Sequence, residues 1–354
     1  MEIIDSLWKI EIDLIIKIQN KFFKYEEFLG YFSTFFGSGY LHLYIIPLFA
    51  MYNTKVYHRL LISCIATDFI NLIIKWILDE DRPYWWVNET KAYTSLTRPI
   101  LYQTERTCET SGGSPSGHSM IAACFLYIIY DEINRQIDNR PSMSHKVILK
   151  ILNKIGLTFI LTITAISRMY FAAHFLHQCI LGFMLGLLVA NLMANHGLAE
   201  KFSSFEKRTW MTIIAWMIIL VVSIYWAHKL ISGNPMKTVE LAFKHCKDPL
   251  YPKPETTVVF SALRCIAMSC GILLNAPIYK RESKLKFFES AVMTICLIIL
   301  QFCAIYETPK NYKIIIFYSY SFIIYAFFQF MFIYFVPKIA TITNENSQEK
   351  VKNQ

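Results

Sequence analysis

The fold of this 354-residue chain is indicated by the stretch Ser167-Arg-Met-Tyr-Phe-Ala-Ala-His-Phe-Leu-His-Gln-Cys-Ile-Leu-Gly-Phe-Met-Leu-Gly-Leu-Leu-Val-Ala190. A polar motif opens this stretch, an apolar run follows it, and a second apolar run, 149–168, precedes it. Each run has about 20 residues, which is the length that an α-helix needs to cross a bilayer. The pattern predicts two membrane-spanning helices joined by a short turn that carries polar side chains.

Apolar runs of this length recur along the chain. The composition agrees, with 55% hydrophobic and 17% charged residues and a mean hydropathy of +0.36, against about 45–50% and about 25% in soluble domains. We therefore expect an all-α polytopic membrane protein and exclude a disordered chain, a secreted disulfide scaffold and a typical cytosolic enzyme. Nine spans are predicted, near 29–51, 58–78, 117–134, 149–168, 175–194, 210–230, 256–275, 289–306 and 313–336.

The N-terminal segment has a different pattern. An amphipathic helix on the membrane surface is predicted there, because apolar residues recur at helical spacing. The segment lacks the basic start and apolar core of a signal peptide, so we expect it to be retained. The apolar residues are Leu7, Ile10, Leu14, Ile18 and Phe22. We expect one membrane domain, 1–354, with an N-terminal segment 1–28, a core 58–194, further spans 195–336 and a tail 337–354.

The basic residues predict an orientation. The formal net charge is +9, and in a membrane protein such an excess usually lies in cytoplasmic loops. No basic stripe or nucleic-acid motif is present, so nucleic acid is not an expected partner. The loops with most Lys and Arg contain Lys55 and Arg59; Arg135, Arg140 and Lys146; Lys201, Lys207 and Arg208; and Lys280, Arg281, Lys284 and Lys286. We assign them to the cytosol, and the N-terminus and segments 79–116 and 231–255 to the opposite side.

Two further features favour the endoplasmic reticulum membrane. The sequon Asn88-Glu-Thr90 lies in segment 79–116, and glycosylation of such a site occurs in the lumen. The ending Lys350-Val-Lys-Asn-Gln354 resembles a dilysine-type retrieval signal that is read from the cytosol, which places the C-terminus there. Cys108 and Cys246 are the two cysteines in segments assigned to the lumen, where a bridge between them is a hypothesis.

Polar motifs lie at span ends on the side assigned to the lumen. Lys75 and Arg82 are seven residues apart, which is about two helical turns, so we expect both cations to project from one helix face. The stretch Gly113-Ser-Pro-Ser-Gly-His118 directly precedes an apolar run. Small residues let backbone N–H groups approach a ligand, and the positive end of the following helix adds to this, so the turn suits phosphate. Taken alone, Lys75 and Arg82 also fit simple interfacial roles.

The third motif is Arg168 with His174. Six residues of unbroken helix correspond to about 240° of rotation, which would point these side chains apart. If one span ends near Arg168 and the next begins near His174, both can face one pocket. Gln178 follows four residues later and can hydrogen-bond the imidazole. Two histidines, two arginines and a lysine on one side of the membrane are difficult to explain by packing, and they predict a functional site.

The three motifs, Lys-x6-Arg-Pro, Pro-Ser-Gly-His and Ser-Arg-x5-His over 75–178, resemble the type 2 phosphatidic acid phosphatase (PAP2) superfamily. The surrounding sequence is similar to the glucose-6-phosphatase catalytic subunits. This similarity is carried by Lys75-Trp-Ile-Leu, Arg82-Pro-Tyr-Trp-Trp-Val, Cys108-Glu-Thr and Ala172-Ala-His-Phe-x-His-Gln. Ile74 stands where that family has Phe and Leu176 where it has Pro. Gln178 replaces an acid of the wider superfamily, as it does in glucose-6-phosphatases.

The resemblance implies a PAP2-type helical core and a phosphohydrolase that needs neither a metal nor another cofactor. It implies that His174 is the nucleophile, transiently phosphorylated, and that His118 is the general acid and base. The phosphoryl oxygens would be bound by Lys75, Arg82, Ser116, Gly117 and Arg168.

The implied substrate is glucose 6-phosphate, hydrolysed in the lumen as the terminal step of gluconeogenesis and glycogenolysis, with a separate transporter supplying it. Another sugar phosphate or a lipid phosphate is the alternative. A transporter or an inactive regulator on the same scaffold is a second class, which the intact motif residues disfavour.

Two charged residues lie inside predicted spans, away from the motifs. Asp68 precedes Lys75 by seven residues, and Arg264 interrupts the seventh span. Ionisable groups at such depth usually pair or line a polar cavity. We expect Asp68 and Arg264 to face the active-site cavity or each other.

Overall fold

The computed structural model describes residues 2–140, 145–281, 287–307 and 313–352. These ranges are mainly helical and contain no β-strand. The helices are α1 (Glu2–Phe22), α2 (Glu26–Phe35), α3 (Ser38–Tyr40), α4 (Ile46–Tyr52), α5 (Thr54–Leu78), α6 (Pro83–Glu89), α7 (Gly117–Asp138), α8 (Lys146–Tyr170), α9 (Leu176–Asn195), α10 (Leu198–Ser204), α11 (Lys207–Ser232), α12 (Lys237–His245), α13 (Val258–Asn275), α14 (Phe287–Tyr306) and α15 (Ile314–Lys352). Short 3-10 and π segments join some of them.

The helix lengths confirm a polytopic all-α membrane protein. Among the described residues, seven helices are long and apolar enough to cross a membrane, or eight if the bent pair Asp5–Phe35 and Ser38–Tyr52 forms one span. The predicted number was nine. The remaining interval, 117–134, is helical as part of α7, but both ends of that interval are polar, which lowers its mean hydropathy.

The chain divides into two compact units. The first comprises 1–38, 67–190 and 221–261, and the second 39–66, 191–220 and 262–354. In the first unit, α7, α1 and α2 each pack against α8, and α6 packs against α12. In the second unit, α14 packs against α15 and α4. Residues 353–354 of the retrieval-like ending 350–354, and the loop lysines 284 and 286, lie outside the described residues.

Helix α1 packs against the protein with residues outside the stripe that the sequence assigns to the membrane surface. Leu7 and Ile10, from the predicted apolar stripe, are 56% and 65% exposed, whereas Ile12 and Ile15 are fully buried. The buried pair belongs to a core cluster with α6 and with Phe175 of the α8–α9 turn. The helix has apolar residues on more than one face, so its periodicity does not determine which face packs against the rest of the protein. Its attachment to the membrane surface stays a prediction.

Two helix breaks shape the first unit. Helix α5 ends at Leu78, Asp79 adopts a left-handed φ of 44°, and Pro83 begins α6. Lys75 and Arg82 therefore do not share one helix face, and that part of the prediction is wrong. Proline lacks a backbone N–H and suits the first position of a new helix. The predicted break between Arg168 and His174 is present, because α8 ends at Tyr170 and α9 begins at Leu176.

A close helix contact positions the start of α7 against α9. A Cβ atom on Gly182 would lie 2.7 Å from the carbonyl oxygen of Ser116, a distance that packed atoms do not adopt. Only glycine fits there without a shift of the backbone. Ser116 caps α7, so this glycine sets the distance between the two helix starts that carry His118 and Gln178.

Candidate active site

The predicted motifs meet around one carboxylate, that of Glu109. Arg82 Nη2 lies 2.9 Å from Glu109 Oε2, and Arg168 Nη2 donates a short hydrogen bond to Glu109 Oε1. The same carboxylate lies 3.6 Å from His118 Nδ1 and 3.7 Å from His174 Nε2. Two guanidinium groups and two imidazoles thus converge on one position that an anion occupies.

Arg82 is fully buried, and its guanidinium is held by the backbone around it. Nε and Nη2 donate to Ser111, at its carbonyl oxygen (2.6 Å) and hydroxyl (3.1 Å). Nη2 also donates to the Gly112 carbonyl and Nη1 to that of Ala173, at 3.1 and 3.0 Å. Nη1 is 3.0 Å from His174 Nε2. Because the backbone carbonyls fix the planar fork, Nη2 is held facing the anion position.

Lys75 approaches the cluster from α5. Its Nζ donates to the carbonyl oxygen of Gly112, the same oxygen that accepts from Arg82. The two cations therefore meet at one backbone carbonyl, although Lys75 lies on α5 and Arg82 directly precedes α6. The Lys75 side chain is buried, so its charge acts on the site through a medium that screens it weakly.

Arg168 lies in the last turn of α8 and is also buried. Its Nη1 donates to the hydroxyl of Ser33 on α2 at 2.8 Å, while Nη2 faces Glu109. One half of the guanidinium is thus anchored to α2 and the other half faces the anion position. The sequence patterns gave no reason to select Ser33, which is 135 residues from Arg168.

The contacts of His174 define its tautomer. Nδ1 lies 2.8 Å from the carbonyl oxygen of Gly113, and this oxygen can only accept. Nδ1 therefore carries the proton, and the unprotonated Nε2 accepts from Arg82 Nη1 beside the anion position. Burial and the charge of Arg82 lower the pKa of His174 well below its ordinary value, against the opposing effect of Glu109. The imidazole is held neutral and oriented.

Gln178 buttresses that histidine through its amide. Its Oε1 lies 3.3 Å from His174 Nδ1, and its Nε2 donates to the Asp81 carbonyl (2.9 Å) and to Glu80 Oε2 (3.2 Å). The Gly113 position is closely enclosed, since a Cβ there would lie 2.6 Å from Gln178 Nε2. The fit leaves room for glycine alone and keeps the Gly113 carbonyl against the imidazole.

The Ser116-Gly117-His118 segment forms the N-terminus of α7. Ser116 is the N-cap, and its hydroxyl accepts from the backbone N–H of Ser119 at 3.4 Å. The backbone N–H of Ser116 donates to the Gln178 carbonyl at 3.0 Å. These bonds fix the start of the helix, and helix starts carry a partial positive charge that favours anions. His118 is 20% exposed, more than His174.

Glu109 is ionised in this arrangement. Burial alone would raise the pKa of its carboxyl group, but the Arg168 and Arg82 guanidinium groups outweigh this effect and hold the pKa well below its ordinary value. Sequence reasoning missed Glu109 as a site residue, although it lies in the Cys108-Glu-Thr string that contributes to the family resemblance.

A second cluster beside the site ties α1 to the start of α9. His177 contacts Glu11 through Nδ1 (2.6 Å) and its backbone N–H (2.9 Å), and Nε2 lies 3.2 Å from Glu80 Oε2. Its ring stacks against Trp8 and Phe175, with centroids 5.9 and 5.5 Å away. Glu80 also accepts from Gln178, which contacts His174, so Gln178 connects this cluster to the active-site histidine. Periodicity did not indicate it.

A disulfide joins Cys108 to Cys246, a bond that was a hypothesis from the sequence.

Three other residues singled out from the sequence lie on helices α5, α6 and α13. Asn88 lies in α6, partly exposed, and its Nδ2 donates to the Tyr84 carbonyl at 2.9 Å; its glycosylation stays a prediction. Asp68 and Arg264 are buried in α5 and α13, and the surfaces that we expected them to face stay a prediction.

Comparison with known proteins extends these observations. The model of the PAP2 superfamily matches residues 56–201. Glucose-6-phosphatase catalytic subunit 1 of Haplochromis nubilus is 30% identical over 301 residues, covering 83% of this chain and 84% of the relative. Human glucose-6-phosphatase 2 is 28% identical over 272 residues, 76% of each chain, and bovine glucose-6-phosphatase 3 is 27% identical over 306 residues, 84% of each. No solved structure matches the chain. Because the similarity extends far beyond the three motifs, the chain belongs to the glucose-6-phosphatase family.

Proposed function

We propose that this protein hydrolyses glucose 6-phosphate to glucose and inorganic phosphate through a phosphohistidine intermediate. The observation that carries the proposal is the convergence of Arg82, Arg168, His118 and His174 on one anion position. The substrate is supported by relatives named glucose-6-phosphatases, which match along most of the chain.

In the first step, the neutral Nε2 of His174 attacks phosphorus and forms a P–N bond. The P–O bond to the sugar breaks, and protonated His118 gives its proton to the leaving oxygen, which departs as the alcohol of glucose. In the second step, His118 accepts a proton from water as the water oxygen attacks phosphorus, the P–N bond breaks, and phosphate leaves. Both histidines then return to their starting states.

The remaining residues stabilise charge. Phosphoryl transfer depends on positioning and on electrostatic stabilisation of the phosphoryl oxygens. Arg82 and Arg168 would bind two of these oxygens, with Lys75 adjacent to Arg82. Ser116 and the backbone at Gly117 would complete the cradle at the helix start. Gln178 orients His174.

We further propose that the protein resides in the endoplasmic reticulum membrane with its N-terminus and active site in the lumen and its C-terminus in the cytosol. The sequon at Asn88, the lysine-rich ending and the basic loops support this orientation. The Cys108–Cys246 disulfide adds support because such bonds persist in oxidising compartments. A substrate made in the cytosol then requires a glucose-6-phosphate transporter, and the reaction would end gluconeogenesis and glycogenolysis.

The direct test is phosphate release by the purified protein in detergent with a chelator present. Glucose 6-phosphate, mannose 6-phosphate and phosphatidic acid are compared, with His174→Ala as the control. We expect selective hydrolysis of glucose 6-phosphate that is lost in the variant. Preference for the mannose ester or the lipid would retain the chemistry and replace the substrate. Equal activity in the variant would refute the assignment of the nucleophile.

A further inference from the structure

The Glu109 carboxylate occupies the position that the proposed function assigns to the phosphoryl group. We propose that Glu109 is an internal stand-in for that group, which holds the empty site together and rotates out when a phosphate monoester enters. This inference rests on the proposed function and adds a residue that sets how tightly the site binds phosphate.

The geometry leaves no room for both anions. The two arginines and two histidines that would surround the phosphoryl group surround the carboxylate instead, at 2.9 Å for Arg82, through a short hydrogen bond for Arg168, and at 3.6 and 3.7 Å for His118 and His174. A phosphoryl group bound by the same donors would overlap the carboxylate and repel it. Substrate binding therefore requires the side chain of Glu109 to leave.

The carboxylate has a clear role while the site is empty. Arg82 is fully buried and Arg168 is 1% exposed, and Lys75 is buried beside them. Buried cations without a counter-ion are strongly destabilising. Glu109 supplies this counter-ion to both arginines at once, so the binding groups stay in place between turnovers.

The departure is confined to the side chain, because the backbone on each side of Glu109 is anchored. Cys108 is bonded to Cys246, the carbonyl of Glu109 accepts from Tyr84 Oη at 3.0 Å, and Thr110 N–H donates to Thr256 Oγ1 at 3.1 Å. The Glu109 side chain is 17% exposed, so the carboxylate can rotate outward while remaining tethered close to the site. Phosphate binds only those molecules in which this tethered competitor has left. The apparent affinity is therefore the intrinsic affinity multiplied by the fraction of such molecules.

The test measures binding of inorganic phosphate to the purified full chain by titration calorimetry, with thermal unfolding as a second readout. In Glu109→Gln the charge is removed but the shape is kept. We expect phosphate to bind at least about tenfold more tightly than in the wild type. We also expect the phosphate-free variant to unfold at a lower temperature, with a larger stabilisation by saturating phosphate.

Glu105→Gln is the matched control, since Glu105 belongs to the same segment, is about half exposed and pairs with Lys253. It should bind phosphate as the wild type does. Equal or weaker phosphate binding by Glu109→Gln would overturn the proposal. If that variant does not fold, Glu109→Asp replaces it: its shorter side chain reaches the arginines less well, and unchanged phosphate affinity would again overturn the proposal. A different result would refute the proposed function instead. In that case the wild type neither hydrolyses phosphate esters nor binds phosphate, and the variants do not bind phosphate either.

Discussion

At the scale of the residue, the protonation state of His174 is set by its surroundings. Burial and Arg82 lower its pKa well below the ordinary value of 6.5, so the free enzyme keeps a neutral nucleophile as the pH falls through 6.5. The substrate itself becomes protonated near pH 6, as phosphate monoesters do. We expect kcat/KM, divided by the fraction of substrate dianion, not to fall between pH 7 and about pH 5.5, because His174 stays neutral while more of the general acid His118 becomes protonated. A tenfold fall per pH unit starting at 6.5 would contradict this.

The amide of Gln178 explains why an acid would be unfavourable at this position. Its Nε2 donates to the Asp81 carbonyl and to Glu80, and a carboxylate cannot donate to either. We expect Gln178→Glu to lose at least about 2 kcal/mol of unfolding free energy and most of the activity, because two acceptors lose their donor and two anions face each other. Thermal unfolding and phosphate release measure these effects.

The double variant Glu80→Gln, Gln178→Glu is the control for that prediction. It removes the facing charge and restores an amide donor on the opposite side, so part of the lost stability should return. If the double variant is no more stable than Gln178→Glu, repulsion from Glu80 is not the cause.

At the scale of the element, α1 positions the turn that carries the nucleophile. Glu11 contacts both the backbone N–H and the ring of His177, one residue from Gln178. We expect Glu11→Ala to lower kcat by about tenfold, equivalent to about 1.4 kcal/mol, with a small change in KM, because the turn shifts while the phosphate-binding cations remain. Steady-state kinetics measures both constants.

Two matched variants sharpen that prediction. Glu11→Gln keeps an oxygen that accepts from the His177 backbone and should recover part of kcat. Asp13→Ala removes an exposed acid from the other face of the same helix and should behave as the wild type. A fall in kcat for Asp13→Ala equal to that for Glu11→Ala would indicate general damage to α1 instead of a positioning role.

The elements also show which features a sequence can predict. The break between α8 and α9 followed from local geometry, since an unbroken helix would have separated Arg168 from His174. The contacts of Glu11 with His177 and of Ser33 with Arg168 join residues 166 and 135 positions apart, and no local period encodes them. The break after Leu78 was missed because the spacing of Lys75 and Arg82 fits an unbroken helix equally well.

At the scale of the whole molecule, exposed apolar surface indicates where lipid is required. Large apolar side chains are more than half exposed along α8, α11 and α14, which in water would be an unfavourable surface. They include Val147, Ile151, Ile155, Phe159, Trp216, Leu230, Phe288 and Ile299. Because hydrophobic surface of this extent is stable when covered by acyl chains, the helices agree with the composition in requiring a membrane.

Orientation in that membrane can be tested at Asn88 and at the C-terminal tail. If segment 79–116 is lumenal, Asn88 receives a glycan during synthesis, before its amide is engaged by Tyr84, and the protein migrates more slowly on a gel than Asn88→Gln. Enzymatic removal of the glycan should abolish the difference. In cells permeabilised only at the plasma membrane, an antibody should reach a tag placed after residue 338, because the tail is cytosolic in this orientation. The orientation would be contradicted by a tag that stays protected, or by an exposed tag in a protein whose Asn88 is never glycosylated. Either result would also contradict the proposed lumenal position of the active site.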